Sequence, residues 1–527
     1  MEFDYIIIGA GSAGCVLANR LSADPAKRVC LLEAGPKDTS PLIHAPIGVA
    51  AILPTKHVNW AFQTVPQPGL GGRVGYQPRG KVLGGSSSIN GMIYIRGHKS
   101  DFDDWEALGN PGWSYADVLP HFRKSEKHHR GGCDHHGGLG ELYVGKAQAH
   151  PASEAFIASA QLAGHRFNPD FNGADQEGVG PYEVTIRDGR RWSAATAFLT
   201  PVRERRSNLT VITDAHAERI LLQGKQAVGV QVKVKGKRLA LKARKEVLLS
   251  AGAFGSPQLL MLSGIGAEAE LKPHGIAVQH ELPGVGQNLR DHPDVVLCYR
   301  STDNTLPGFS LAGGVNMGKA FMEYTRKKTG PFASNFAEAG AFLKTDATLE
   351  RPDIQLHSVI SMVDNHNRTL HWGHGFSCHV CVLRPKSIGH VGLQSADPSA
   401  PPRIDPRLLS HDDDVQTLLK GYRMTRDILE QAPMAPFGLK DMYSHGLYRD
   451  EQLIDVLRRR TDTIYHPVGT CKMGIDDSAV VDCQLRVHGI EGLRVVDASI
   501  MPTLVGGNTN AASIMIAERA AQWVLRA

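Results

Sequence analysis

The opening residues carry the clearest hydrophobic pattern in the chain. Asp4-Tyr5-Ile6-Ile7-Ile8 is a short apolar strand that runs into Gly9-Ala10-Gly11-Ser12-Ala13-Gly14, and Cys15 to Leu21 predicts a helix. A second apolar strand, Arg28 to Leu32, ends at Glu33. From Asn208 to Ala251 the pattern is rich in β character. Leu209 to Ile212 and Val228 to Val232 alternate or run apolar, and Glu246 to Ser250 reads as a buried strand ending at Ala251-Gly252-Ala253. A helix follows, opened by Ser256-Pro257 and closed by Ser263-Gly264, since serine suits an N-cap and proline a first turn. Leu311 to Asp455 mixes strands and helices without nucleotide-binding signals. The last element is a helix from Ala511 to Leu525, with Ile514, Met515, Ala517, Ala521, Val524 and Leu525 as its apolar positions and Asn510 placed to cap it.

Strand, glycine turn and helix in this order are what a dinucleotide site needs. Gly9 permits the tight turn, Gly11 lets the backbone approach a pyrophosphate, and Gly14 lets the helix pack close to the strand. The helix N-terminus then offers free N–H groups and a positive dipole end to phosphates. Glu33 can accept hydrogen bonds from an adenosine ribose and would repel a 2′-phosphate, which disfavours NADP. These residues do not separate NAD from FAD. A turn that only packs a helix on a sheet is the plain alternative.

Composition narrows the class. A chain of 527 residues suggests more than one domain, and 42% hydrophobic with 21% charged residues is ordinary for a globular enzyme. The net charge of +5 is mild over this length, and no basic run is interleaved with aromatics, so nucleic acid is not an expected partner. Eight scattered cysteines fit a reducing, cytoplasmic compartment better than a disulfide framework. Cys378-His379-Val380-Cys381 spells CxxC but stands alone in an apolar, β-like run, so it reads as buried thiols. The first strand begins so early that no secretory leader is expected, and no segment reaches the apolar length of a membrane span. Pro41 to Pro54 comes nearest, as a lid, a membrane-surface loop or a plain surface loop; peripheral contact with the inner face of a membrane stays open. Lys124 to Gly140, with His128, His129, His135 and His136 among glycines, predicts an exposed loop with solvated histidines, and no metal is expected there. The sequence carries no signal of oligomeric state.

Longer motifs carry a resemblance. Gly80-Lys81-Val82-Leu83-Gly84-Gly85-Ser86-Ser87-Ser88-Ile89-Asn90 resembles the first signature of the glucose–methanol–choline (GMC) flavin oxidoreductases. Gly252 to Gly266 resembles their second, and Gly284-Val285-Gly286-Gln287-Asn288-Leu289-Arg290-Asp291-His292 a third shared stretch. Tyr465-His466-Pro467-Val468-Gly469-Thr470-Cys471-Lys472-Met473-Gly474 is similar to the catalytic histidine segment. Val496-Asp497-Ala498-Ser499 and Gly506-Gly507-Asn508-Thr509-Asn510 resemble the C-terminal flavin motif. The likeness spans essentially the whole chain in the right order, and looks closest to the choline dehydrogenase and alkane-utilisation alcohol dehydrogenase branch.

The resemblance implies an α/β fold: a Rossmann-like FAD-binding domain assembled from separated segments (1–155, 205–305 and 461–527), with an inserted α+β substrate domain (156–204 and 306–460) built on an antiparallel sheet. It implies FAD, a small-molecule alcohol as substrate, and a quinone or other electron acceptor. The implied cofactor contacts are Gly9, Gly11, Ser12, Ala13, Gly14, Glu33 and Ala34, then Arg79, Gly80, Val82, Gly84, Gly85, Ser86, Asn90, Gly91 and Met92. Ala217, Ala251, Asp497, Ala498, Asn508 and Thr509 complete them. Where some members carry a covalent flavin link on a histidine, this chain has Ile89, so non-covalent FAD is implied. Glu338, Ile464 and Tyr465 fall at pocket positions, Glu338 resembling the pocket glutamate of choline-type members.

Three polar residues are candidates for the chemistry. An ordinary imidazole titrates near neutrality, so His466 is a candidate to take a hydroxyl proton while hydride leaves the adjacent carbon. Asn508 matches the second catalytic position of the family, and its amide can hydrogen-bond the alcohol oxygen. Asn510 competes for that role, with helix capping as its structural alternative. The final helix, if its positive end is aimed at the flavin, would stabilise negative charge there. An oxidase using O₂, a choline dehydrogenase, a FAD-containing hydroxynitrile lyase and a plain NAD enzyme are the competing readings.

Overall fold

The computed structural model describes residues 1–526. The opening strand, Glu2–Ile8, is buried on both faces from Phe3 onward, as a central parallel strand must be. It lies in a seven-stranded sheet ordered Leu209–Ile212, Val29–Leu32, Glu2–Ile8, Lys237–Leu249, Gln226–Val234 and Ala215–Gln223, with Leu493–Val495 added beside Lys237–Leu249. The pairs around Glu2–Ile8 are parallel, with Ile6 opposite Cys30 on one side and Val247 on the other. The last three named strands before the addition form an antiparallel meander. Thus residues more than 480 positions apart share one sheet, which is how the C-terminal segment reaches the glycine turn.

The first helix is Ser12–Leu21, three residues longer at its start than the sequence pattern implies. It packs on the final helix, Asn510–Arg526, and the two are tied by Arg20, whose guanidinium contacts both Glu518 and Glu141. The second signature also starts earlier than expected. Its helix is Gly252–Leu262, and Ser256 is inside it rather than capping it. Ser256 Oγ instead donates to Asp497 at 2.6 Å, and the same carboxylate accepts the Gly252 N–H at 2.9 Å.

A second, eight-stranded sheet is antiparallel along Lys440–Asp441, Pro293–Ser301, Gly373–Val382, Ile354–Val359, Ala339–Leu343 and Gly178–Pro181; Gly308–Phe309 and Asp462–Thr463 complete it. Pro293–Ser301 and Asp462–Thr463 therefore sit in this sheet, although the sequence reading put 293–301 and 462–463 with the flavin segments. Side chains alternate along its strands. Ile354, Leu356, Cys378 and Val380 face the helices Pro151–Leu162 and Asp412–Leu429, while Cys381 packs with Ile93, Tyr182 and Ile464 on the other side. Cys378 and Cys381 are three apart, so a strand sends them to opposite faces, and the CxxC spelling holds no joint site. All eight cysteines are free.

Two expectations about loops are corrected. Pro41 to Pro54 is not a plain loop but a set of short helical turns whose Ile43 and Ile52 are buried against Val58, Val82 and Ile89, while Pro41, Leu42, Ala50 and Ala51 stay exposed at the surface. Residues 124–140 are exposed from Arg130 to Asp134 and at Leu139, but their histidines are not all solvated. Glu126–His128 is a strand, and His128 and His136 are buried with their rings stacked 4.0 Å apart. His128 Nε2 lies 2.6 Å from Glu183, His136 Nε2 lies 2.9 Å from Asp170, and Arg96 pairs with Glu126 at 2.7 Å. Partners from residues 96, 170 and 183 turned a glycine-rich stretch inward.

Burial alone would lower the His136 pKa, but the carboxylates of Asp170 and Glu126 raise it from the ordinary 6.5 to about 9. A folded-state value above the unfolded one contributes stability that is complete below pH 6.5 and is lost as pH rises through about 9. The denaturant midpoint should therefore fall between pH 6.5 and 9, and His136→Gln should flatten that slope. Parallel slopes for wild type and variant would show that His136 is not the titrating group.

Candidate active site

A cleft of about 1190 Å³ runs between the two sheets. That exceeds the ~300–1,000 Å³ of a pocket for one small ligand. One end is built by the glycine turn. Gly9 has φ +100°, and a β-carbon there would stand 2.4 Å from the Ser250 carbonyl. At Gly14 a β-carbon would stand 1.9 Å from the Gly9 carbonyl, so helix and strand touch backbone to backbone. At Gly11 it would meet nothing within 4 Å, and no side chain caps the helix that follows. The first-turn N–H groups of Ser12–Leu21 thus face open cleft with no protein acceptor, as a bound pyrophosphate requires.

Glu33 stands beside this end. Its carboxylate accepts the N–H groups of Ala10 at 3.0 Å and Gly35 at 2.8 Å, and burial pushes its pKa up to about 7. Gly85 crosses over the turn so closely that a β-carbon on it would lie 2.7 Å from Gly11 Cα. Of the residues expected to hold a cofactor, Gly9, Gly11, Ser12, Ala13, Glu33, Ala34, Arg79, Gly80, Gly85, Ser86, Asn90, Gly91 and Met92 line the cleft. So do Ala217, Ala251, Asp497, Ala498, Asn508 and Thr509. Gly14, Val82 and Gly84 lie behind its wall, Val82 in a small apolar cluster with Ile89. Ile89 offers no nucleophile at the position where a covalent link would form. Arg191, which the sequence reading missed, is fully buried and pins the turn by donating to Asn90 O at 2.7 Å and Asn90 Oδ1 at 2.8 Å. These residues fit a dinucleotide.

At the other end stands His466. Tyr465 before it has φ +74°, a left-handed backbone that costs a non-glycine residue about 1–3 kcal/mol. Three contacts hold it there: the Tyr465 N–H donates to Thr463 Oγ1 at 2.7 Å, its carbonyl accepts from Arg79 Nη2 at 2.6 Å, and its hydroxyl meets His366 Nδ1. Asp291 fixes the next residue, accepting the His466 N–H at 2.8 Å. Ile464 and Tyr465 both line the cleft, as expected.

The imidazole protonation can be worked out from its partners. His292 Nε2 lies 3.1 Å from the Leu383 carbonyl, which can only accept, so Nε2 carries hydrogen. Burial lowers the His292 pKa to about 3, so the ring is neutral and its Nδ1 is bare. His466 Nδ1 lies 3.0 Å from that bare nitrogen and must donate to it. Burial, then the neighbouring His292, His357 and Arg79, hold the His466 pKa well below 6.5. His466 is therefore neutral, with a lone pair on Nε2. Asn508 Nδ2 donates to that lone pair at 3.2 Å, and Asn508 Oδ1 accepts from Gln355 Nε2 at 3.1 Å, which fixes the amide's orientation. Gln355 Nε2 also donates to the Tyr182 hydroxyl at 3.0 Å. Asp291, His292 and Gln355 are positioning residues that sequence reading did not single out. The Asp291-His292 pair in the third shared stretch was the available signal.

Two expectations are revised here. Asn510 is the first residue of the last helix, and its Oδ1 accepts from Ser12 Oγ at 2.6 Å, joining the two helix N-termini instead of capping its own helix. Thr509, Asn510 and Ser513 line the cleft, so the start of this helix does face it. Glu338 is turned away from the cleft. Its carboxylate accepts from the His150 N–H at 2.6 Å, Ser153 Oγ at 3.0 Å and Ser334 Oγ at 2.7 Å. With those bonds it anchors the helix Pro151–Leu162 and has no face toward a substrate.

A Rossmann-type nucleotide end joined to a buried, neutral histidine paired with an amide is an arrangement suited to a dinucleotide-dependent oxidoreductase. The GMC oxidoreductase family model matches residues 3–294 and 385–517. The chain is 48% identical to the alcohol dehydrogenase [acceptor] of Pseudomonas putida, covering 99% of this chain and 96% of that one. It is 44% identical to the mitochondrial choline dehydrogenase of Homo sapiens, covering 99% of this chain and 89% of that one. The crystal structure of pyridoxine 4-oxidase from Mesorbium loti superposes with a TM-score of 0.90 at 32% identity, over 100% of this chain and 99% of that one. The chain belongs to the GMC oxidoreductase family, and with it to the FAD-dependent enzymes acting on CH–OH donors. No described helix is long and apolar enough to cross a membrane.

Proposed function

We propose that the protein oxidises an uncharged primary alcohol to the aldehyde and passes the electrons to a quinone-like acceptor. The observation that carries this reading is the bare Nε2 of a neutral His466, facing the Asn508 amide inside the cleft. FAD, when bound, supplies the hydride acceptor. An alcohol hydroxyl placed between His466 and Asn508 would give its proton to Nε2 and accept a hydrogen bond from Asn508 Nδ2, and the resulting alkoxide expels hydride readily. His292 keeps Nε2 bare by accepting a hydrogen bond from the Nδ1–H of His466, which holds the ring in that tautomer. The same buried surroundings disfavour the imidazolium, so a proton taken by Nε2 is readily passed on.

The lean toward an uncharged alcohol rests on the cleft wall. Its carboxylates among the described residues are Glu33 and Asp497, both engaged with backbone N–H groups. Near His466 the wall is Ile93, Ala337, His357, Val359, His379 and Ile464, with no carboxylate to meet a quaternary ammonium. The Pseudomonas putida relative's name, alcohol dehydrogenase [acceptor], supports an alcohol substrate and a separate electron acceptor. A comparison of kcat/KM for a medium-chain primary alcohol and for choline, with an artificial quinone and separately with O₂, tests both parts. The alcohol should be preferred by at least about tenfold, with the quinone the faster acceptor. Preference for choline, or faster turnover with O₂, would overturn the corresponding part.

A further inference from the structure

The helix Leu311–Lys327 lies on the surface and buries only a narrow stripe, with Gly313, Ala320 and Tyr324 pointing inward. The opposite pole of such a helix is ordinarily polar. Here it is not. Leu311, Val315 and Met322 fall within about 40° of arc at 3.6 residues per turn, on the side away from the buried stripe. They are 86%, 59% and 52% exposed. The apolar surface continues beyond the helix. Phe309 and Trp372 are joined as a backbone bridge and are 56% and 67% exposed, and Leu370 beside them is 68% exposed.

The charge on this face is predominantly positive. Arg326 and Lys319 lie along one side of the apolar pole, Lys327 and Lys328 follow at the C-terminal end, and Glu323 is the one acid between residues 309 and 330. The segment that bears Leu370 and Trp372 also puts Val363, His366 and Asn367 on the cleft wall, so the patch borders the cleft.

We propose that this face docks on an anionic phospholipid bilayer, with the helix lying in the headgroup plane and its apolar pole downward. An exposed apolar pole bordered by basic residues is the composition of an interfacial helix, and Lys and Arg supply the attraction to anionic lipid. A second copy of the chain fits less well, because four cations and one acid would face their own image. Docking brings the part of the cleft wall formed by Val363, His366 and Asn367 near the bilayer, from which an apolar reactant can be drawn. Binding does not depend on the alcohol chemistry and can fail or hold separately from it.

Flotation of the holoenzyme with vesicles tests the proposal. The wild type should float with phosphatidylglycerol–phosphatidylcholine vesicles, bind pure phosphatidylcholine more weakly, and detach as salt is raised. The triple variant Leu311→Ser, Val315→Ser, Met322→Ser should bind anionic vesicles at least tenfold more weakly, while keeping its thermal midpoint and its turnover of a water-soluble alcohol. Failure of the wild type to bind anionic vesicles would overturn the proposal, as would equal binding by the triple variant. Loss of a dimer in the triple variant, without vesicle binding by the wild type, would assign the face to self-association instead.

Discussion

His466→Ala should slow anaerobic flavin reduction by roughly 10²–10⁴-fold, the range a positioned general base contributes. Hydride leaving a neutral alcohol builds positive charge on carbon, whereas taking the hydroxyl proton builds an alkoxide from which hydride leaves easily. Nε2 is the one basic atom placed for this, since Nδ1 is committed to His292. FAD should remain bound, because the glycine turn and Glu33 stand at the other end of the cleft. Asn508→Ala should slow reduction less, because it removes the donor to the oxygen but not the base. Stopped-flow absorbance checks both variants. Near-wild-type reduction by the His466 variant with full FAD content would refute the assignment.

Replacing Gly14 should have an equally large effect by a different route. A β-carbon there would overlap the Gly9 carbonyl at 1.9 Å, and both partners are backbone, so helix and strand must separate. Gly14→Ala should cost about 3 kcal/mol of stability and yield protein without flavin. Gly11→Ala separates the two consequences. Its β-carbon meets only open space, so the fold should survive with little change in thermal midpoint while flavin content drops if that space is the one we propose for the phosphates. Flavin content is read from visible absorbance and folding from the thermal midpoint of each variant. Full flavin content in both would show that the cradle has been placed wrongly.

What could be read from the sequence was local chemistry. The strand, the glycine turn, the acidic residue after the second strand and the histidine segment each lie in a short stretch whose residues constrain one another. What escaped depended on partners far along the chain. The helix at Gly252 begins early because Asp497 takes the Gly252 N–H and the Ser256 hydroxyl. Asn510 looked like a cap until Ser12 came within 2.6 Å of it. Glu338 had the residue type for cation binding but spends its oxygens on Ser153, Ser334 and the His150 backbone. The histidines between residues 124 and 140 were hidden in glycine-rich sequence that Glu183, Asp170 and Arg96 draw into the interior. His292, which sets the tautomer of the base, is 174 residues from His466 and no local pattern joins them.

Anaerobic mixing of the holoenzyme with a medium-chain primary alcohol tests the central claim most directly. Oxidised flavin should bleach fully without any added acceptor, aldehyde should form in equal amount, and deuterium on the carbinol carbon should slow the bleaching. Flavin that stays oxidised with every alcohol tried, choline included, would contradict the account.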